Sequence, residues 1–331
     1  MKKIQKRKSL SFFILIFLLC ILFFIAINLG SIQIRFVELF KGLFIEFDEN
    51  VATIYDLRFP RILIAILGGG ALAVSGVLLQ AVMKNPLADP GIIGISSGAS
   101  MVSILLIAFF PSLYFFTPLF ALLGGLISYI LVYSLSWKSG LNPLRIVLVG
   151  VAVNAVFIGM IDAFQTMTGG FLSGAASIVN ANISMKTWDD VKVLFIYVCI
   201  GMILALIVSG SCNLLTLEDK TARSLGVDVD KTRLLISFIA VMLASISTAI
   251  VGVIGFLGLI APHIGRILVG SDHKLLIPYC AILGAFILLL ADTLGRVIAV
   301  PYEISPSVIM AVVGGPCFIF LLKRGDKTHE S

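Results

Sequence analysis

Apolar residues in this chain neither alternate with period two nor follow a single helical stripe. They come as continuous runs separated by short polar segments. Lys2, Lys3, Lys6, Arg7 and Lys8 are followed by an apolar run from Leu10 to Leu29. A run of about 20 residues is enough to cross a hydrocarbon core of ~30 Å. A cleaved signal peptide has a shorter core and a small-residue cleavage site, so this run is predicted to remain as a first span with its basic tail in the cytoplasm. Further runs predict spans at Ile62–Val82, Ile92–Phe110, Phe115–Trp137, Leu144–Met167, Val191–Ser211, Leu234–Ile254, Phe256–Val269, Leu275–Ala299 and Val308–Leu322. A bilayer admits only helices or closed barrels, because each backbone polar group must be satisfied internally. Runs of this length without alternation predict an all-α, polytopic membrane protein.

Phe256–Val269 is short and interrupted by Pro262, His263 and Arg266, and whether it is a full span is open from hydropathy. Charge placement favours counting it. With ten spans, Lys84, Lys138 with Arg145, the cluster Lys220–Arg233, Lys274, and Lys323 with Arg324 all fall on the cytoplasmic side. With nine, the last two groups fall outside, against the positive-inside rule. The expectation is therefore about ten transmembrane helices with both termini cytoplasmic. Residues 1–331 read as one transmembrane domain. It comprises a basic tail at 1–9, a bundle at 10–322 with a cytoplasmic polar segment at 213–233, and a tail at 323–331. No soluble domain or internal repeat is evident.

Composition agrees with this reading. Of 331 residues, 59% are hydrophobic and 13% charged, against roughly half and a quarter in soluble domains. Mean hydropathy is +1.11. These values exclude a soluble globular enzyme and a disordered chain. The net charge of +6 sits in short patches between apolar runs, which is a topological signal and not a nucleic-acid footprint. The five cysteines are scattered without a CxxC pair, and they read as packing residues.

The longest polar stretch between spans, Asn213–Arg233, contains Glu218 and Asp219 early and Gly226 late. These are start and stop signals for a short helix. Its charged residues are predicted on one face, with Ala222 and Leu225 on another. It is either a solvated connector or a helix on which a partner docks. On the opposite side lie Arg58, Arg61 and Arg296, followed by Glu303. They are either snorkelling anchors or a ring for an acidic extracellular partner. Gly68, Gly69, Gly70, Ala71, Ala73 and Gly76, and later Gly252, Gly255 and Gly258, allow close helix approach.

Polar residues within the spans are few: Asn28, Gln80, Asn154, Asp162, Gln165 and Asp292. The two acids have no evident series of basic partners, which weakens an ion-driven secondary transporter. Gly94-Ile95-Ser96-Ser97-Gly98 fits the GxSxG pattern, and His263 is a distant candidate base. The strand–turn–helix setting of a nucleophile elbow is not predicted, so neither catalytic residues nor an enzyme are expected. His263 and His273 are too isolated to suggest a metal site. The chain lacks GxxxxGK[ST], so any ATP with its Mg²⁺ would sit on another subunit. No cofactor is expected on this chain.

Several motifs then align together. They are Arg58-Phe59-Pro60-Arg61 through Gly76 to Gln80, Asn85-Pro86-Leu87-Ala88-Asp89-Pro90, and Ala222-Arg223-Ser224-Leu225-Gly226-Val227. They continue with Gly255-Phe256-Leu257-Gly258-Leu259-Ile260-Ala261-Pro262-His263-Ile264-Gly265-Arg266, Ala291-Asp292-Thr293-Leu294-Gly295-Arg296 and Gly314-Gly315-Pro316. From about Asp56 to Lys323 the chain resembles the FecCD family, permease subunits of ABC importers for iron-siderophores, heme and cobalamin. A Trp-x-x-Gly-Ser-Leu run common in that family is replaced here by Gly169-Gly170-Phe171-Leu172-Ser173-Gly174. The later Met185-Lys186-Thr187-Trp188 is similar to Gram-positive heme permeases.

The resemblance implies a bacterial cell-membrane importer subunit. Its partners would be a second permease copy, identical or paralogous, two ABC ATPases on cytoplasmic coupling helices, and a lipid-anchored extracellular binding protein. The substrate would be an iron chelate, heme being favoured over a siderophore, with cobalamin as the alternative. By the same resemblance, Arg58, Arg61 and Arg296 would meet acidic residues of the binding protein. Glu218, Asp219, Ala222, Arg223, Ser224, Leu225 and Gly226 would serve ATPase coupling. Gly69, Gly76, Gln80, Gly255, Gly258 and Pro262 are candidates for helix packing and the translocation path.

Overall fold

The computed structural model describes residues 2–29, 48–136, 143–168, 183–300 and 302–326, with single positions at 35, 38, 39, 41, 42, 45 and 181. Side chains of residues 2–5, 143 and 318–326 are outside that description. The expected features at Lys138 and Gly169–Gly174 also fall outside it.

The described residues are mostly helical and contain no strand. The elements are α1 (Lys2–Asn28), α2 (Glu49–Met83), α3 (Ile95–Phe109), a 3₁₀ turn (Pro111–Phe116), α4 (Thr117–Ser136), α5 (Pro143–Met167) and α6 (Trp188–Ile207). They continue with α7 (Ser209–Leu215), α8 (Asp219–Ser224), α9 (Val229–Val251), α10 (Leu257–Val269), α11 (His273–Ile298) and α12 (Pro306–Asp326). Seven segments are long and apolar enough to cross a membrane: Lys6–Asn28, Glu49–Met83, Pro111–Ser136, Leu144–Met167, Trp188–Ile207, Val229–Val251 and His273–Ile298. Three more apolar helical segments are shorter: Ile95–Phe109, Leu257–Val269 and Pro306–Cys317.

Of the short helices, α3 departs from its expected span, and α10 keeps the expected bounds within one residue. The third span was expected from Ile92, but α3 begins only at Ile95. The segment before it carries Pro86 and Pro90, and proline disfavours helix in the preceding residue. Asn85 and Asp89 turn the chain there: Asn85 Oδ1 accepts from Leu87 N at 2.9 Å, and Asp89 Oδ1 accepts from Gly91 N and Ile92 N at 2.8 and 3.1 Å. α10 has 13 residues, about 20 Å of helix, too short to cross a ~30 Å core alone.

α2 is the spine. Asp48 caps its start, accepting from Asn50 N and Val51 N, and Lys84 ends it in the left-handed region at φ 48°. Its 35 residues make a helix about 52 Å long. α2 and α9 are buried along most of their apolar length, whereas α1, α5 and α6 are largely uncovered. α2 packs against α1, α6, α9, α10 and α11.

The close approaches depend on glycine. Gly76 meets the Gly258 backbone, with no room for a Cβ on Gly76. Gly69 meets the Gly284 carbonyl in the same way. Gly76 lies seven residues before Met83, about 10 Å from that end of α2. α10 therefore starts inside the bundle and runs toward its end. One end of the bundle gathers Lys84, Asp219, Arg233 and Asp272; the other gathers Arg58, Arg61, Arg296 and Glu303. They are called the Lys84 end and the Arg61 end below.

Gly76→Ala should lower the midpoint of thermal unfolding in detergent, at a cost of about 1–3 kcal/mol, because the helices must separate to admit the methyl group. Gly210 has nothing within 4 Å of a built Cβ, so Gly210→Ala should leave the midpoint unchanged or slightly raised. Equal midpoints for the two variants would contradict the close-contact account.

Candidate functional site

At the Lys84 end, α8 is a single short helix, and its Asp219 carboxylate bonds two cations of the bundle. Asp219 Oδ1 accepts from Lys84 Nζ at 2.8 Å and from Arg233 Nη2 at 2.8 Å. Lys84 Nζ also donates to the Leu217 carbonyl. Lys84 closes α2 and Arg233 lies in the first turns of α9, so Asp219 ties α8 to two long helices. The Lys84 ammonium, then the Arg233 guanidinium, hold the Asp219 carboxyl below its ordinary range despite partial desolvation.

Gly226, at φ +83°, terminates α8. Its N–H donates to the Arg223 carbonyl and the Val227 N–H to the Ala222 carbonyl, the paired bonds of a Schellman motif. Ala222 is buried and Leu225 is 61% exposed. The expected shared face of these two residues is therefore not formed. The helix stops at Ser224, and Leu225, already outside it at ψ 8°, points outward.

Of the residues expected at an ATPase contact, Glu218, Arg223, Ser224, Leu225 and Gly226 are exposed. Arg223 pairs with Asp230 at 3.0 Å, and Ser224 Oγ donates to Thr221 O. Asp219 is instead turned toward its own chain. Lys84 and Arg233, its partners, carry no motif of their own in the sequence beyond belonging to basic patches.

At the Arg61 end the three arginines come together, but each is engaged within the chain. Arg61 is 7% exposed. Its Nε and Nη2 donate to Asp292 at 2.9–3.0 Å and its Nη1 to Glu303 at 2.8 Å. Asp292, fully buried, therefore has the basic partner that the sequence did not reveal, 231 positions away. Arg58 Nη1 donates to Ile27 O, and Arg296 donates to Ala26 O and Leu29 O. These guanidinium groups cover the carbonyls left open where α1 ends, where cations are favoured. Glu303 also accepts from Ser184 Oγ at 2.7 Å. Burial alone would raise its carboxyl, but Ser184 and Arg61 outweigh burial and hold it below the ordinary range. Trp188 is fixed nearby by Nε1–H to Tyr55 O at 3.1 Å and by its ring against Tyr55 at 4.6 Å.

The candidate path residues lie mostly inside the single chain. Gly69, Gly76, Gln80, Gly258 and Pro262 are buried, and Gln80 Nε2 donates to the Gly258 carbonyl at 3.0 Å. Gly255 is half-exposed with open space around it. The uncovered polar positions lie instead on α5, where Asp162 is exposed and Asn154 and Gln165 are half-exposed. Ser96 is buried, and its hydroxyl accepts from Thr248 Oγ1 at 3.1 Å. No base is bonded to it among the described residues, so the GxSxG pattern has no nucleophile geometry there. The described residues hold no metal-binding cluster of His, Cys, Asp or Glu.

The sequence model of the FecCD transport family matches residues 18–324. The chain belongs to the FecCD transport family. It is 41% identical over 326 residues to "Probable heme-iron transport system permease protein IsdF" of Staphylococcus aureus strain Newman, covering 98% of this chain and 99% of that one. The same figures hold for the protein of that name in strain USA300. Among solved structures, a chain described as an inward-facing metal-chelate type ABC transporter superposes with a TM-score of 0.80 at 31% identity. That match covers 94% of this chain and 98% of the other. A chain of PsaBC from Streptococcus pneumoniae in complex with Fab gives a TM-score of 0.58 at 16% identity, covering 87% and 95%. This second likeness is one of fold. The family is one of transport, so the two polar ends of this FecCD member belong to a transport protein in the membrane.

Two outcomes test these geometries. Asp292→Asn should destabilise the folded chain by about 3–5 kcal/mol, because it removes the buried carboxylate and leaves the Arg61 guanidinium only the half-exposed Glu303 as a charge partner. Arg61→Met/Asp292→Leu should recover most of that loss in the same melting assay; a double variant as unstable as the single would contradict the pair. Asp219 has a depressed carboxyl value in the folded state, so its contribution is present above the ordinary carboxylate value and lost as pH falls through the depressed one. Hydrogen exchange of the 219–226 amides should stay slow from pH 5 to 8, after correction for intrinsic rates, and accelerate only below about pH 4.

Proposed function

We propose that this protein is the membrane permease of a binding-protein-dependent ABC importer that carries an iron chelate, with heme as the favoured cargo, into a bacterial cell. The observation that carries this reading is the 41% identity to a heme-iron permease over 98% of the chain. The Lys84 end is cytoplasmic and the seven long and three shorter helical segments make ten membrane passes, some of them partial. Both termini are then cytoplasmic. The basic residues Lys6, Arg7, Lys8, Lys84, Arg145, Lys220, Arg233 and Lys274 support this orientation through the positive-inside rule.

In this reading residues 1–331 form one permease domain, and two copies, identical or paralogous, enclose the path. The uncovered α5 supports a place at that boundary, since an exposed carboxylate such as Asp162 is costly against lipid. The α8 helices of the two copies receive the two ATPase subunits, which bind ATP and Mg²⁺. The exposed Arg223, Ser224 and Leu225 offer the contact, and the Schellman stop keeps it short and rigid. The chain itself carries out no covalent chemistry. A lipid-anchored binding protein delivers the chelate at the Arg61 end. There Arg58 and Arg296 are half-buried, and Arg61 reaches the surface only through its pair with the half-exposed Glu303. An acidic partner would have to share these guanidinium groups with groups of this chain. Binding along the path is weak by necessity, because a tight site would hinder release.

The chain should copurify with an ATPase subunit. Proteoliposomes holding the permease, the ATPase and the binding protein should take up heme only with ATP, and the loaded binding protein should show a Soret band. Arg58→Glu should weaken capture of the binding protein while leaving ATPase association intact. Uptake that persists without ATP and collapses with an ion gradient would replace this reading with secondary transport. ATP-driven uptake of cobalamin and not heme would change the cargo alone.

A further inference from the structure

The contacts at the Lys84 end continue into the bundle. Lys84, bound to Asp219, is the first residue after α2 and begins the non-helical segment 84–94. That segment is internally braced. Asn85 Oδ1 and Asp89 Oδ1 accept three backbone N–H bonds, the Ala88 N–H donates to Asn85 O at 3.2 Å and the Ile93 N–H to Asp89 O at 3.0 Å. Asp89 is fully buried. Its Oδ2 faces the first turn of α10, where a Cβ built on Gly258 would lie 2.6 Å away. A carboxylate against a helix N-terminus is electrostatically favoured. Gln80, in the last turn of α2, makes a second tie from its Nε2 to the Gly258 carbonyl. Gly76 and Gly258 meet backbone to backbone, which leaves little slack between α2 and α10.

We propose that Asp219 is a positioning residue of the energy-coupling step: it transfers displacement of α8 through Lys84 and the braced segment 84–94 to Asp89 and the start of α10 inside the bundle. Arg233 on the other side of Asp219 holds α8 against α9, so the helix moves with the bundle instead of swivelling on its connectors. This rests on the importer reading above and adds to it which residues carry the movement. Asp219 then acts through the chain's own cations and not through contact with the ATPase.

The test uses the complete complex in proteoliposomes and reads heme taken up per ATP hydrolysed. In Asp219→Asn and in Lys84→Met, ATPase association and hydrolysis should remain near wild type. Uptake per ATP should fall about tenfold, within the range of coupling between separated sites. Asp219→Glu should restore much of the ratio, and Asp89→Asn, at the far end of the relay, should reproduce the loss. Lys231→Met, which removes a neighbouring exposed cation, should leave the ratio unchanged. An unchanged ratio in both Asp219→Asn and Lys84→Met overturns the proposal. So does loss of ATPase association in Asp219→Asn, which would make the residue a docking contact. If the wild-type complex itself showed no ATP-dependent heme uptake, the cargo or importer reading would fail, and the relay would fail with it only if no substrate showed ATP-dependent uptake.

Discussion

The rest of the structure depends on how closely α2 can approach its neighbours. In a membrane, apolar side chains gain little by leaving lipid for another helix, so association relies on close packing and on polar groups that find partners. Gly69 against Gly284 and Gly76 against Gly258 bring α2 near enough to α11 and α10 for main-chain groups to touch. That approach makes the Gln80 bond to the Gly258 carbonyl possible. It also allows the 13-residue α10 to begin in the interior with its first turn covered by Asp89. Irregular backbone at that depth is tolerated only where protein encloses it, and α2 provides the enclosure.

The two ends use charge differently. At the Arg61 end, one guanidinium is shared by Asp292 and Glu303 and largely withdrawn from solvent, which fixes α2 against α11 and the following loop. At the Lys84 end, one half-exposed carboxylate is shared by two cations. A buried pair of the first kind specifies a geometry and is costly to break. An exposed cluster of the second kind is weaker, but in the proposed function it lies where a partner's push would enter the bundle. The protein thus has a firmly tied Arg61 end and a lighter brace under α8.

Much of this was legible in the sequence because membranes simplify the problem. The apolar runs gave the helices α1, α4, α5, α6, α9 and α11 close to their expected positions, and Glu218, Asp219 and Gly226 marked α8 correctly. Hydropathy placed α3 and α10 among the apolar segments but could not set their helical lengths of 15 and 13 residues. Nor could it find the Arg61–Asp292 pair. Partners 231 positions apart leave no local pattern, so Arg61 looked like an exposed outer cation and Asp292 like an unpaired acid. Asp219 misled in the opposite direction. Its place at a helix start suggested an outward-facing acid, whereas the neighbouring ends of α2 and α9 draw it inward.

The proposed transport requires α8 to face the cytoplasm, where an ATP-hydrolysing partner can reach it. A single cysteine at Leu225, in a background whose five native cysteines are replaced, reports this with a membrane-impermeant maleimide. Labelling should fail in intact protoplasts and proceed in inverted vesicles, and binding of the ATPase should protect the site. Labelling from outside intact protoplasts would contradict the account.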